Sequence, residues 1–202
     1  CSTCTQAFPG VATNANIINL RVLDNSGVGT DSSVIAAIQR AIALKSTYNI
    51  RVMNLSFGRS VSGSYKKDPL CQAVEAAWEA GIVVVVAAGN YGINPATGKV
   101  GSAGITSPAN ARSALTVGAV MTKGTVYRGD DEVAAFSSRG PTWHDGLVNP
   151  DFVTVGESII AASKTGTELD KNPKLKGPLP GYISLSGTSM AAAVASSIVA
   201  LM

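Results

Sequence analysis

The sequence predicts an α/β fold of three layers, in which a mainly parallel β-sheet is flanked by helices. Short runs rich in Val and Ile alternate with longer segments of helical periodicity. The run 82–88 is apolar at every position, as in a strand that is buried on both faces. No internal repeat or low-complexity linker interrupts the 202 residues, so we expect a single domain over 1–202.

The expected elements follow from apolar periodicity and from helix-capping residues. Asp68 and Pro69 are a typical N-cap and first helical residue, and Gly81 is a typical C-cap. Residues 136–138 are expected to pack near the sheet. We expect strands at 16–23, 50–55, 82–88, 115–119, 151–155 and 182–185, and helices at 31–45, at 68–80 and after Thr188.

Composition and charge argue against two classes of partner. A net charge of +3 from scattered Lys and Arg residues does not indicate nucleic acid or an anionic membrane surface. The longest apolar run is far shorter than the ~20 residues of a membrane span. No basic-then-apolar signal pattern begins the sequence.

The cysteines do not predict a metal site. Cys1-x-x-Cys4 has the spacing of half a zinc site or of a redox pair, but no second Cys or His pair completes it. Cys71 leaves an odd count, which argues against a disulfide framework. We therefore expect free cysteines and name no metal ligand.

A Gly-rich turn precedes the first predicted helix. Gly27-x-Gly29-x-x-Ser32 is one glycine short of a dinucleotide-binding fingerprint. The next strand ends in Asn54 and not in an acidic ribose ligand. A nucleotide-binding α/β domain is therefore an alternative, beside an ordinary turn.

Ser189 falls where the strand 182–185 gives way to a helix, with Thr188 as the expected N-cap. A hydroxyl in the first helical turn faces unpaired N–H groups and the positive end of the helix dipole, which favour an oxyanion. The other interpretation is a capped helix whose small residues pack on a sheet.

Asn90 follows the buried strand 82–88 through Gly89, which places it at the carboxyl edge of the predicted sheet. Its amide could donate a hydrogen bond to an oxyanion. Alone, Asn90 would be an ordinary turn residue.

Together these stretches resemble the subtilisin-like serine proteases, the subtilases. Gly187-Thr188-Ser189-Met190-Ala191 is similar to the family's nucleophile segment, and Ala87-Ala88-Gly89-Asn90 to its oxyanion-hole segment. Further similar segments follow the family's order: Gly10-Val11-Ala12, 52–58, Ser107-Pro108-Ala109, 115–119 and 136–141. The resemblance implies a serine endopeptidase with Ser189 as nucleophile and Asn90 as oxyanion donor.

The resemblance also implies a groove for a polypeptide substrate. Ser56, Phe57 and Gly58 would pair with an extended substrate backbone. Ala87, Ala88 and Gly89 would line the primary specificity pocket, with Tyr91 and Thr106 near its mouth and floor. Because none of these residues is charged, we expect an apolar or aromatic side chain before the cleaved bond. Pro108 would follow a cis peptide bond.

The aspartate and histidine that the family uses with its serine are not found at the matching place. Subtilases carry both before the Gly-Val-Ala segment, and residues 1–9 contain neither. The sole histidine, His144, comes after Pro141 and beside Asp145, which is the wrong order for a base. We expect the aspartate and histidine on a segment absent from these residues. The alternative is an inactive pseudoprotease that only binds peptides.

Other properties are implied by the resemblance alone. The chemistry would need no cofactor, whereas structural calcium would be possible. A pro-segment inhibitor would be a possible partner, and the protein would be secreted.

Overall fold

The computed structural model describes residues 8–94 and 96–202. Three short 3₁₀ helices lie at Tyr65–Lys67, Arg128–Asp130 and Pro173–Leu175. The α-helices are α1 (Asp31–Tyr48), α2 (Pro69–Glu79), α3 (Glu168–Lys171) and α4 (Thr188–Leu201). The strands are β1 (Val52–Leu55), β2 (Val83–Ala87), β3 (Leu115–Met121), β4 (Glu132–Val133), β5 (Phe152–Val155), β6 (Ile159–Ala162) and β7 (Tyr182–Leu185).

The main sheet is mainly parallel, as the sequence predicts. β1 pairs with β2, β2 with β3, and β3 with β5, all in parallel. The two-residue strand β4 pairs antiparallel with the end of β3. β6 and β7 form a separate antiparallel sheet that leads into α4.

Alternate residues of the central strand β2 divide the core in two. Val84 and Val86 pack with α1 and α2, whereas Val85 and Ala87 pack against α4. This alternation is the pleat of a strand covered on both faces. The predicted three-layer arrangement is confirmed.

Small residues let α4 lie close to the sheet. Ala191 and Ala192 are fully buried against β2 and β3. A Cβ on Gly156 would stand 2.7 Å from the Cβ of Ala119 and 3.0 Å from that of Ala191. Glycine is therefore needed where the loop after β5 passes between helix and sheet.

The helix ends show why these segments are helical. Thr30 caps α1 through a reciprocal capping box with Ser33. The helix ends at Tyr48, three residues past the predicted end at residue 45, and its C-cap is Asn49 in the left-handed conformation. Asp68 caps α2 as predicted, and Pro69 is its first residue. Gly81, with φ +78°, lies one position beyond the C-cap Ala80.

The predicted strand at 16–23 is wrong, because the segment contains no strand. Among the described residues its backbone makes no hydrogen bond to β1, an edge strand of the main sheet. The Ile17 side chain is 90% exposed, and of this segment Val22 packs on the core. Apolar side chains alone do not make a strand without a partner ladder.

No helix within the described ranges has both the length and the apolar character needed to cross a bilayer.

Candidate active site

The carboxyl ends of β1 and β2 lie together at one edge of the parallel sheet. β1 continues into the segment 56–58, and β2 continues into 88–91. The first turn of α4 is hydrogen-bonded to both segments. Open α/β sheets bind their ligands at this edge.

Ser189 is the second residue of α4. Its hydroxyl donates to the carbonyl oxygen of Ser56 at 3.0 Å, and the Ser56 hydroxyl donates to the carbonyl oxygen of Ser189 at 2.9 Å. This reciprocal pair ties the start of α4 to the end of β1. A carbonyl oxygen is too weak a base to activate a serine hydroxyl, so Ser189 is held in place without being ionised.

Gly187 is the N-cap of α4, so the prediction of Thr188 as N-cap is wrong by one residue. Thr188 is itself helical, and its buried hydroxyl donates to Asn90 Oδ1 at 3.0 Å and accepts from the Gly89 N–H at 3.2 Å. Gly187 has φ 157°, a conformation that side chains disfavour. The hydroxyl that could have capped the helix instead links it to the end of β2.

The donors around Asn90 fix the orientation of its side chain. The Thr188 N–H and hydroxyl both donate to it at 3.0 Å. Because a backbone N–H can only donate, the atom facing it is the oxygen Oδ1, and the amide nitrogen Nδ2 is the other end. Among the described residues, Nδ2 has no hydrogen-bond acceptor. It is therefore a donor available to a ligand.

The N–H of Ser189 is a second available donor. The N–H groups of Met190 and Ala191 donate to the Gly187 carbonyl oxygen, whereas that of Ser189 has no acceptor among the described residues. It also lies at the positive end of the dipole of a 14-residue helix. Two donors of the kind that stabilise an oxyanion thus belong to the same corner of the structure.

Thr106 lies between the continuations of β1 and β2. Its N–H donates to the Ala88 carbonyl oxygen at 3.1 Å. A Cβ on Gly58 would stand 2.5 Å from Thr106 Oγ1, and one on Gly89 would stand 2.8 Å from Thr106 Cγ2. We call Gly58, Ala88, Gly89 and Thr106 the Thr106 cluster. Close packing at this point requires both glycines.

The side chains of the remaining predicted groove residues have different surroundings. Phe57 is half-buried and packs on the α1–α2 side of the core, whereas Ala87 is buried beneath α4. Tyr91 is 62% exposed, and its N–H donates to Ser138 Oγ at 3.1 Å. The assignment of these three residues to substrate binding stays a prediction.

His144 is not brought to Ser189. It lies on an exposed loop with φ +70°, and its ring packs edge-on against Trp143. Asp145 accepts from the Ser64 hydroxyl at 2.6 Å and from the Tyr65 N–H at 2.8 Å, which fixes this loop on the 3₁₀ helix before α2. Within the described ranges no hydrogen bond joins His144 to Ser189.

Sequence reasoning misses a charged cluster directly behind Thr106. The Arg59 guanidinium forms ion pairs at 2.8 Å with Asp31 and Asp68, and its hydrogen bond to Asp31 is the main cause that raises the pKa of Arg59. Asp68 also accepts from the Ser107 hydroxyl at 2.8 Å. The sequence identifies Asp68 only as the cap of α2, and its local pattern contains no signal for the distant partners.

The turn 24–28 offers little to a nucleotide phosphate. The Asp24 carboxylate accepts from the N–H groups of Val28 and Ser26, and these bonds, chiefly that of Val28, lower the pKa of Asp24. Backbone donors already bound to a carboxylate cannot cradle a phosphate. Two backbone donors of this turn are therefore unavailable to a phosphate, which weakens the dinucleotide alternative.

Metal ligands are not clustered in the described part of the chain, where no three His, Cys, Asp or Glu side chains form a group able to hold a metal ion. Cys1 and Cys4 lie outside the described residues. The Ser107–Pro108 peptide bond is cis, as the resemblance implies.

A sequence model of the Subtilase family (Peptidase_S8) matches residues 2–202. The chain belongs to the subtilase family. The resemblance inferred from the sequence motifs is therefore confirmed.

Known subtilases match nearly all of this chain. Serine protease AprX of Bacillus subtilis (strain 168) is 37% identical over 203 residues, which cover 96% of this chain and 43% of AprX. Subtilisin of Bacillus sp. (strain TA39) is 32% identical over 192 residues, which cover 95% of this chain and 40% of that protein. The crystal structure of a cold adapted subtilisin-like serine proteinase has a TM-score of 0.67 and 30% identity, and the match covers 95% of this chain and 55% of that one. The chain thus spans about half the length of these relatives.

Proposed function

We propose that residues 1–202 carry the nucleophile and the oxyanion hole of a serine endopeptidase, with Ser189 and Asn90 in these roles. The observation that carries the proposal is the pairing of Asn90 Oδ1 with the Thr188 N–H, which leaves the amide Nδ2 free beside the residue that precedes Ser189 in the chain. Membership of the subtilase family supports the same assignment.

The reaction follows from these positions. Ser189 Oγ attacks the carbonyl carbon of the peptide bond and gives its proton to a base. The carbonyl electron pair moves onto the oxygen, which accepts hydrogen bonds from Asn90 Nδ2 and the Ser189 N–H. Collapse of this intermediate breaks the C–N bond, and the leaving amine takes the proton. Water then releases the acyl group from Ser189 by the same steps.

The base of this proposal lies outside residues 1–202. The sequence has one histidine, and its loop is held on the 3₁₀ helix before α2. We propose that a histidine and an aspartate from other sequence complete the triad. A peptide-binding protein without catalysis is the second candidate, because within the described residues no imidazole is hydrogen-bonded to Ser189.

We propose that the groove binds an extended polypeptide along Ser56, Phe57 and Gly58. The side chain before the cleaved bond would enter beside the Thr106 cluster, with Ala87 and Tyr91 nearby. The uncharged lining supports a preference for an apolar or aromatic side chain. Secretion, a pro-segment inhibitor and structural calcium remain proposals that rest on the family alone.

The test uses imidazole in solution as a substitute base. Residues 1–202 are incubated with a fluorophosphonate probe, with and without imidazole, and the adduct is mapped by mass spectrometry. We expect imidazole to promote labelling of Ser189. Asn90→Ala should slow that labelling by at least about tenfold, because one oxyanion donor is lost. Ser197→Ala, on the same helix, is the matched control and should not change it.

Two results separate the candidates. Imidazole-dependent labelling that is equal in the wild type and in Asn90→Ala would contradict the oxyanion role of Asn90. Peptide binding without any imidazole effect at Ser189 would favour the non-catalytic protein.

A further inference from the structure

Asp68 is a buried carboxylate that joins three separate segments. Its side chain is 3% exposed. Oδ1 accepts from the Arg59 guanidinium at 2.8 Å and from the Leu70 N–H at 3.0 Å, and Oδ2 accepts from the Ser107 hydroxyl at 2.8 Å. A buried carboxylate needs such partners, so these bonds hold their groups in fixed positions.

Two of these partners also pair through their backbones. The Arg59 N–H donates to the Ser107 carbonyl oxygen, and the Ser107 N–H donates to the Arg59 carbonyl oxygen, both at 2.9 Å. Arg59 and Ser107 are thus bridged twice, once by the backbone and once by the carboxylate of Asp68.

Each bridged residue is next to a member of the Thr106 cluster. Gly58 precedes Arg59, and Thr106 precedes Ser107. Gly58 and Thr106 approach so closely that no Cβ fits on the glycine. The separation of the two residues therefore depends on how firmly Arg59 and Ser107 are joined.

We infer that Asp68 is a positioning residue for substrate selection: by joining Arg59 to Ser107, it fixes Gly58 against Thr106 and so sets the space for the substrate side chain. The inference rests on the proposed function, because that proposal assigns the Thr106 cluster to the substrate side chain. Asp68 itself bonds to Arg59 and Ser107, which are not members of the Thr106 cluster. It would affect the substrate only through these two neighbours.

Asp31 distinguishes this role from a general need to neutralise Arg59. It also pairs with the guanidinium, but its side chain is 43% exposed, and no hydrogen bond joins it to Ser107 among the described residues. Substitution of Asp31 therefore removes a charge from the same arginine and leaves the bridge to Ser107 intact.

The experiment measures peptide selectivity in the 202-residue chain by NMR. Acetylated tripeptide amides that differ only in a final Phe or Ala are titrated into ¹⁵N-labelled protein, with the amides of Gly58 and Gly89 as reporters. We expect the wild type to prefer Phe over Ala by about tenfold, as an apolar pocket can. Asp68→Asn and Ser107→Ala should each reduce that preference to about threefold or less, with similar affinity for the Ala peptide. Asp31→Asn should keep the wild-type preference.

The outcomes separate this inference from the proposal beneath it. If no peptide shifts the Gly58 or Gly89 signals of the wild type, the proposed groove is wrong and the inference fails with it. If the wild type is selective and the Asp68 and Ser107 variants are equally selective, only the inference is overturned. An equal loss in Asp31→Asn would also overturn it. If Asp68→Asn does not fold, Ser107→Ala decides alone, since it removes a single hydroxyl.

Discussion

Gly89 meets two constraints at once. Its φ of +109° is a conformation that other residues rarely adopt, and a Cβ would stand 2.8 Å from Thr106 Cγ2 and 2.9 Å from Ser138 Oγ. Gly98 shares only the first constraint, since it has φ +66° and open space around the Cβ position. Gly89→Ala therefore combines crowding with a φ outside the left-handed region, whereas Gly98→Ala keeps a φ inside that region and meets no crowding.

We expect Gly89→Ala to lower the free energy of unfolding by about 1–3 kcal/mol more than Gly98→Ala, because the extra methyl group must displace Thr106 or Ser138. Urea titration followed by circular dichroism measures both variants. Equal losses would mean that the surroundings of Gly89 yield to a methyl group without cost.

Cys71 is fully buried in the α1–α2 core, and burial is the main cause that raises the pKa of its thiol to about 12. In a Cys1→Ser, Cys4→Ser background we expect no reaction with a disulfide reagent at pH 8 until urea unfolds the chain.

The folded state binds the Cys71 thiol proton more tightly than the unfolded state, so the free energy of unfolding should fall as pH rises from about 9 to 12.

Cys71→Ala should make stability less dependent on pH in that range, and it serves as the control. Rapid modification of the native protein at pH 8 would contradict the burial of this thiol.

At the scale of elements, β2 and the segment 16–22 differ in a way that hydrogen exchange detects. β2 lies between β1 and β3, so its amides should exchange only through global unfolding. The segment 16–22 makes no ladder with β1, and its amides should exchange at close to the rate of unstructured chain. Mass spectrometry of peptic fragments measures both. Protection of 16–22 similar to that of β2 would show that the predicted strand forms after all.

Elements determined by local chemistry could be predicted from the sequence. α1 and α2 are marked by their caps, and β2 by an apolar run that only a doubly covered strand tolerates. The segment 16–23 has similar strand propensity, but a strand also needs a neighbour in register, which composition does not encode. β6 is not predicted either, because its strand partner β7 is separated from it by a long connection that local sequence does not reveal.

The candidate site was predictable only in part. The motifs around Ser189 and Asn90 carry the family resemblance, but Thr188 is not the N-cap that the sequence predicts, because its hydroxyl bonds to Asn90. Either helix capping or a tertiary bond could have used that hydroxyl, and only packing decided between them. The link from Asp68 to Ser107 joins residues far apart in sequence, so no local pattern could reveal it.

At the scale of the whole molecule, we expect residues 1–202 alone to show little or no peptidase activity. Removal of triad members from subtilisin itself costs about 10⁴ to 10⁶ in turnover, as is established for that enzyme. A fluorogenic peptide with Phe before the cleaved bond measures this activity. His144→Ala is the control and should be indistinguishable from the wild type. Turnover that His144→Ala abolishes would make the single histidine the base.

α4 packs on β1, β2, β3 and β5, so the helix that carries Ser189 is also the layer that covers one face of the sheet. Detaching this helix would expose the buried alanines and valines beneath it, and the sheet would lose one of its two core clusters. Ser189 is therefore not displaced by local fraying of α4, because the helix leaves the sheet only when the core beneath it opens. A cut in the exposed connection 163–181 would leave it in position, and the working lifetime of the nucleophile would equal the lifetime of the fold.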